Sequence, residues 1–170
     1  MACMHKETFE IYYNDLRIVP DGYVEIDELI APAIQVLNRK GYTTIGCCSG
    51  HPLKGTISPI SSEMGHEIIH DRVYCTHVIF GEGISLPTLP FGFIMDSKPI
   101  YPPDFFINNP PDEYVTLESI KEFLGLKRSV LFIRKSVCDG YDFFATSRNI
   151  LETTEQLYKW ALDLPDFKDE

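Results

Sequence analysis

The chain has 170 residues and a formal net charge of −10. That length supports one domain with a real core, and no apolar run approaches the roughly 18 residues of a membrane span. The acidic balance weighs against a nucleic-acid duplex as partner, because that needs Lys and Arg massed on one face, and it fits a small molecule or a basic protein surface.

The opening segment MACMHKETFEIYY has no apolar stretch followed by a small-residue cleavage site, so the expectation is a cytoplasmic protein, in the host cell if the source is viral. Five cysteines, Cys3, Cys47, Cys48, Cys75 and Cys138, are an odd number in a chain of this size, and free thiols are expected.

Phe9 to Tyr13 is an aromatic run that predicts a first strand, and Asp21-Gly22 is a turn signal. Tyr23 to Asp27 alternates as a short strand running into a helix, with Asp27 as its N-cap and Glu28 in its first turn. Ile26, Leu29, Ile30, Ala33, Ile34 and Leu37 recur at helical spacing. Pro32 lies near the start, Arg39 and Lys40 suit the negative end, and Gly41 suits a left-handed stop. A β-rich run, Tyr42 to Cys47, follows at once.

Pro52 to His70 reads as a long loop, Val73 to Phe80 as a strand, and Gly81 to Gly92 as an extended connection before a strand at Phe91–Met95. Lys98 to Pro111 carries five prolines and reads as irregular, a flap or a partner surface. Thr116 caps a short helix that stops at Gly125, and Ser129 to Val137 is a strand. Asp139-Gly140 turns into a hairpin partner at Tyr141–Ala145. Ser147 caps the last helix, whose buried stripe is Ile150, Leu151, Thr154, Leu157, Tyr158, Ala161 and Leu164. Pro165 ends it and the tail DFKDE frays. The pattern predicts a single α+β (or α/β) domain over 1–170: a mixed β-sheet packed by a central helix at about 27–40 and a C-terminal helix at about 148–164.

Four groups of residues invite chemistry. Cys47-Cys48-Ser49-Gly50-His51 follows a strand directly; Gly50 permits positive φ, and the turn's N–H groups, Ser49 and His51 suit a small anionic or nucleotide-like ligand. Cys75 and His77 share a face of their strand. His77 is expected to be hydrogen-bonded at a pocket wall, while Cys48, His51, Cys75 and His77 together are a weaker four-ligand zinc set. His66-Glu67-Ile68-Ile69-His70 matches the HExxH zinc-protease pattern. The residues before it lack an apolar helical face and no downstream helix offers a third ligand, so His66 and His70 rank low as metal ligands. Tyr42, Tyr74, Tyr101, Phe105, Phe106 and Tyr114 are candidates for stacking on a base, with Tyr101 and Phe105 favoured by their loop and Thr44 beside Tyr42.

From Val24 to Gly50, the residues Asp27-Glu28, Leu37-Asn38, Tyr42-Thr43-Thr44 and Cys48-Ser49-Gly50 resemble the wybutosine-synthesis tRNA methyltransferase family, with His77 in the place of a histidine on the next strand and His51 where the family has arginine. A closer resemblance, over most of the chain, is to short phage and prophage proteins with a KGYxTxxCCSGH centre and a final helix ending W-A-x-x-L-P, here Trp160 to Pro165. The first resemblance implies an S-adenosylmethionine pocket near the Cys-Ser-Gly turn and a tRNA substrate; in a short, acidic chain with His51 in place of the family's arginine, the expectation is that pocket retained for a nucleoside without the RNA surface, and in a phage-type protein it would capture a nucleotide-derived signal. The leading expectation is a non-catalytic protein, with no cofactor, that binds a nucleotide-derived ligand, as a phage anti-defence sponge that sequesters an immune signalling nucleotide. Ser49, Gly50 and His51 would hold the anionic part. Such a sponge would be a homo-oligomer, with residues 101–115 reaching a neighbouring subunit's site. The alternatives are an S-adenosylmethionine-dependent enzyme, a zinc metalloprotease or zinc-stabilised domain, and an inhibitor acting through a protein surface.

Overall fold

The computed structural model describes residues 2–13, 18–52, 75–99, 129–139 and 142–168. The chain opens with three strands, β1 (Ala2–His5), β2 (Ile11–Tyr13) and β3 (Tyr23–Ile26). They form an antiparallel sheet in the order β2-β1-β3, with Ala2 opposite both Tyr13 and Ile26. The β1–β2 turn is tied by its first residue: His5 Nδ1 accepts from the N–H groups of Glu7 and Thr8.

Helix α1 (Ala31–Arg39) begins four residues later than the sequence pattern indicates. The reason is local. Pro32 occupies the first turn, where its missing N–H costs nothing, and residues 28–30 form a separate turn whose end donates from Ile30 N and Ala31 N to the Asp27 carbonyl. Asp27 is therefore not the side-chain cap; the N-cap residue is Ile30, with no side-chain cap bond. Ile30, Ala33, Ile34 and Leu37 are buried as their spacing predicts, whereas Leu29 falls in the turn and is exposed. Gly41, at φ +88°, stops the helix.

The second sheet contains β4 (Thr44–Cys48), β5 (Cys75–Phe80), β6 (Ile94–Pro99) and β7 (Ser129–Ser136). Its order is β4-β5-β7-β6, and every pairing is antiparallel. The architecture is α+β, and the one mixed sheet expected from the sequence is instead two antiparallel sheets. β6 takes in Lys98 and Pro99, which the sequence placed in an irregular segment; an edge strand tolerates a proline. The remainder of 98–111, the expected helix at 116–125, and the 53–70 part of the long loop lie outside the described residues.

Helix α2 (Phe143–Asp163) starts earlier than expected, and where a strand was read. Asp142 is its cap, accepting from Phe144 N and Ala145 N at 2.9 Å, and Ser147 sits inside the helix donating to the Phe143 carbonyl. Ile150, Thr154, Leu157 and Ala161 are buried; Leu151 and Tyr158 are exposed. α1 and α2 pack together over one face of the second sheet, where Ile34, Leu37, Leu157 and Ala161 meet Val78, Phe80 and Ile133. Each of the larger side chains among them contributes about 1.5–3 kcal/mol on full burial.

The junction of α1 with β4 is polar but saturated. Asn38 Nδ2 donates to the Ile34 carbonyl and to Thr44 Oγ1, both at 2.8 Å, and Asn38 Oδ1 accepts from Thr44 N at 3.0 Å. Of the tail expected to fray, the described part, residues 166–168, closes over this corner. Phe167 N donates to the Lys40 carbonyl, the Phe167 ring packs on Tyr42, and Lys40 Nζ donates to the carbonyls of Leu162 and Leu164.

Candidate functional site

Three chain segments converge beside the N-terminal end of α1. β3 delivers Asp27, β4 delivers Cys48 and the turn Ser49-Gly50-His51, and β5 contributes Thr76 beneath them. The Asp27 carboxylate is the centre. Its Oδ2 accepts from Ser49 N at 2.9 Å and from Ser49 Oγ at 3.1 Å, and His51 Nε2 stands 3.7 Å away. Gly50 N donates to Cys48 Sγ at 3.3 Å, and Thr76 Oγ1 donates to the Ser49 carbonyl at 2.8 Å. The turn is thus anchored from both sides by side chains distant in sequence.

Gly50 has two reasons to be glycine. Its φ is +87°, and an added Cβ would come within 3.0 Å of Val137 Cγ2. The absence of a side chain lets the turn press against the base of α2.

An open cleft of about 460 Å³ lies over this turn. It is lined by the turn residues Ser49, Gly50, His51 and Pro52, by Ser147, by the acidic Glu25, Asp27 and Glu28, and by the apolar Ile26, Leu29, Ile150 and Leu151. Leu151 is exposed because this is where α2 faces the cleft.

Burial dominates the thiols. Cys47 is pushed up to about 12, first by burial and then by the neighbouring Asp27 and Cys48. Cys48 is pushed up to about 11, again by burial first; the Gly50 N–H opposes this, while Asp27 and Cys75 add to it. Both are neutral thiols at physiological pH, so the turn does not present a ready thiolate nucleophile. All five cysteines are free.

Of the residues singled out in the sequence, Cys48, Ser49, Gly50 and His51 do come together, but not as an anion cradle. The N–H and hydroxyl of Ser49 are directed at Asp27, and the N–H of Gly50 at Cys48. The chain's own carboxylate occupies the position the sequence assigned to a ligand's anionic group. A second full anion about 4 Å from Asp27 would meet a repulsion of about 4 kcal/mol at an effective dielectric constant of 20.

His77 stands opposite Cys48 in the β4–β5 register, largely buried, with its ring 5.4 Å from that of Phe132, and is not a lining residue of the cleft. Tyr42 is only 2% exposed and packs in the core, so it offers no stacking surface. Thr44 belongs to the Asn38 clasp. His66, His70, Tyr101 and Phe105 lie outside the described residues. Among the described residues, the metal-ligating side chains that cluster are Asp27, Cys48 and His51, whose ligand atoms all lie within 4.8 Å of one another; Cys75 and His77 are not in this group.

Asp27 is the residue whose role the sequence reading missed. A signal existed: a helix with Pro32 in its first turn takes its cap near residue 30, which leaves Asp27 free for another partner. Among the described residues no helix is long and apolar enough to cross a membrane. Comparison of the chain with protein-family models, with curated proteins and with solved structures finds no match.

Proposed function

We propose that the protein binds a small nucleoside-type ligand in the cleft above the Ser49-Gly50-His51 turn, and sequesters it instead of transforming it. The observation that carries this reading is the cleft's mixed lining, in which apolar Leu29, Ile150 and Leu151 stand together with acidic Glu25, Asp27 and Glu28. The volume of about 460 Å³ is in the range of small-molecule sites. The apolar residues suit a base. Carboxylates accept hydrogen bonds, so the acidic residues suit sugar hydroxyls or an amino group. Any phosphate of the ligand would point outward, away from Asp27.

The acidic residues also favour a second reading, an S-adenosylmethionine pocket. That molecule carries a nucleoside together with a sulfonium and an ammonium, and three carboxylates complement both cations. Asp27 and Glu28 would hold it by charge, and the apolar residues would take the adenine.

A thermal-shift and calorimetric screen in the presence of a chelator tests both readings. The panel is nucleosides, cyclic di- and oligonucleotides, ADP-ribose derivatives and S-adenosylmethionine. Ligand at a hundred times its Kd adds about 2.7 kcal/mol, a shift of several degrees for a chain this size. Leu151→Glu and Asp27→Asn are each expected to weaken binding at least tenfold. A shift with nucleoside-containing compounds, and none with S-adenosylmethionine, supports the first reading; a shift with S-adenosylmethionine alone supports the second. No shift with any compound overturns both.

A further inference from the structure

We propose that Asp27, Cys48 and His51 form a binding site for a divalent transition metal of the zinc class, open on one side to the cleft. This goes beyond the ligand-binding reading and does not depend on it. The three residues offer a carboxylate oxygen, a sulfur and an imidazole nitrogen within 4.8 Å of one another. That mixed donor set suits zinc, whereas calcium and magnesium prefer all-oxygen shells.

The geometry is close to what the metal requires. With zinc–ligand bonds of 2.0–2.3 Å, the ligand atoms of a tetrahedral site stand about 3.3–3.8 Å apart. The Asp27–His51 separation, 3.7 Å, is already in that range. The other pairs lie within 4.8 Å, so the closure still required is at most about 1 Å, and His51, whose side chain is 53% exposed, is the ligand with the most room to move. Cys48 and Asp27 are held from strand ends, so the site has two fixed ligands and one adjustable one.

The supporting shell is also present. Ser49 orients Asp27 through two hydrogen bonds, and the Gly50 N–H points at the Cys48 sulfur, where it would stabilise the thiolate that a metal requires. The residues lining the cleft include three carboxylates and neither Lys nor Arg, which draws cations to this opening. Three protein ligands leave a fourth position facing the cleft, the arrangement of zinc sites that bind water or an exogenous donor and not of purely structural ones. Binding replaces the Cys48 S–H proton, which leaves to solvent, with a metal–sulfur bond.

The test uses the full chain, stripped with chelator, desalted, and titrated with Co²⁺ in the absence of organic ligand. The expected result is one equivalent bound, with a thiolate-to-cobalt charge-transfer band in the near ultraviolet, visible bands of four-coordinate intensity, and bleaching by one equivalent of Zn²⁺. Cys48→Ser removes the charge-transfer band, Cys138→Ser keeps it, and His51→Ala and Asp27→Asn each weaken affinity at least tenfold. If Cys48→Ser does not fold, the exposed His51→Ala variant decides. No charge-transfer band in the parent protein, a band that survives Cys48→Ser, or an unchanged affinity in His51→Ala overturns the proposal. Because the ligand screen is run with chelator and this titration without ligand, the two readings fail separately.

Discussion

Replacing Gly50 by alanine tests whether the turn is held by backbone conformation alone or also by its fit against α2. Gly50 and Gly83 share nearly the same φ, +87° and +84°. Around Gly83 an added Cβ meets nothing within 4 Å; at Gly50 it meets Val137 Cγ2 at 3.0 Å and Ile150 Cγ1 at 3.5 Å. Val137 is β-branched and 1% exposed, so it has little room to yield. Gly83→Ala therefore carries only the left-handed penalty, offset in part by a less flexible unfolded chain, for a net loss of about 1 kcal/mol. Gly50→Ala adds an overpacking cost of about 1–3 kcal/mol, for a total of about 2–4 kcal/mol. For a chain of this length each kilocalorie moves Tm by about 2–4 °C, so the Gly50 variant should melt on the order of 10 °C below the parent and the Gly83 variant about 3 °C below. Urea unfolding of the three proteins gives the free energies directly. Equal losses in the two variants would refute the packing argument and reduce Gly50 to an ordinary turn residue.

Asp27→Ala should cost about 1–3 kcal/mol in urea unfolding, because it orphans the N–H of the buried Ser49, while Asp27→Asn, which keeps an acceptor, should cost less than half as much. Thr76→Val keeps the shape of a fully buried side chain but removes the donor to the Ser49 carbonyl; a loss of about 1 kcal/mol is expected, together with weaker protection of the 48–51 amides in hydrogen exchange. Asn38→Leu should destabilise by about 2–4 kcal/mol, since it leaves the Thr44 N–H without its partner and breaks a buried three-bond network; Asn38→Ala should cost a similar amount, and a loss below about 0.5 kcal/mol in both would deny the clasp any role. Asp142→Ala removes the cap of α2 and should lower stability by about 1 kcal/mol, with Asp142→Ser restoring most of it.

Much of the framework was legible because periodicity reports burial directly. The stripe Ile30, Ala33, Ile34, Leu37 and the runs at 75–80 and 129–136 needed no tertiary information. Helix starts were less legible. Asp27 and Asp142 look alike as caps, yet one caps a helix and the other binds a turn 22 residues away, and the Phe143-Phe144 pair carries a strand preference that the Asp142 cap overrides. Strand partnership had no local signal at all, so two antiparallel sheets were indistinguishable from one mixed sheet. At the site, Cys48 to His51 stood out by composition. The acidic residues of the cleft did not, because Glu25 read as part of a short strand and Asp27 and Glu28 as the cap and first turn of a helix, and Leu151 read as core because a cleft-facing apolar residue has the same spacing as a buried one.

The docking of Phe167 and of the Leu162 and Leu164 carbonyls onto Lys40 has a consequence for biosynthesis. The end of α1 and its junction with β4 cannot be finished until residue 167 has been made. At translation rates of about 5–20 residues per second, the 127 residues from Gly41 through Phe167 occupy roughly 6–25 s. Throughout that interval Tyr42 and the apolar face of α1 lack their α2 and Phe167 neighbours on the nascent chain. A ribosome stalled ahead of the last helix would display a sticky, half-built core, and such a truncated nascent chain is the form of this protein most in need of a chaperone.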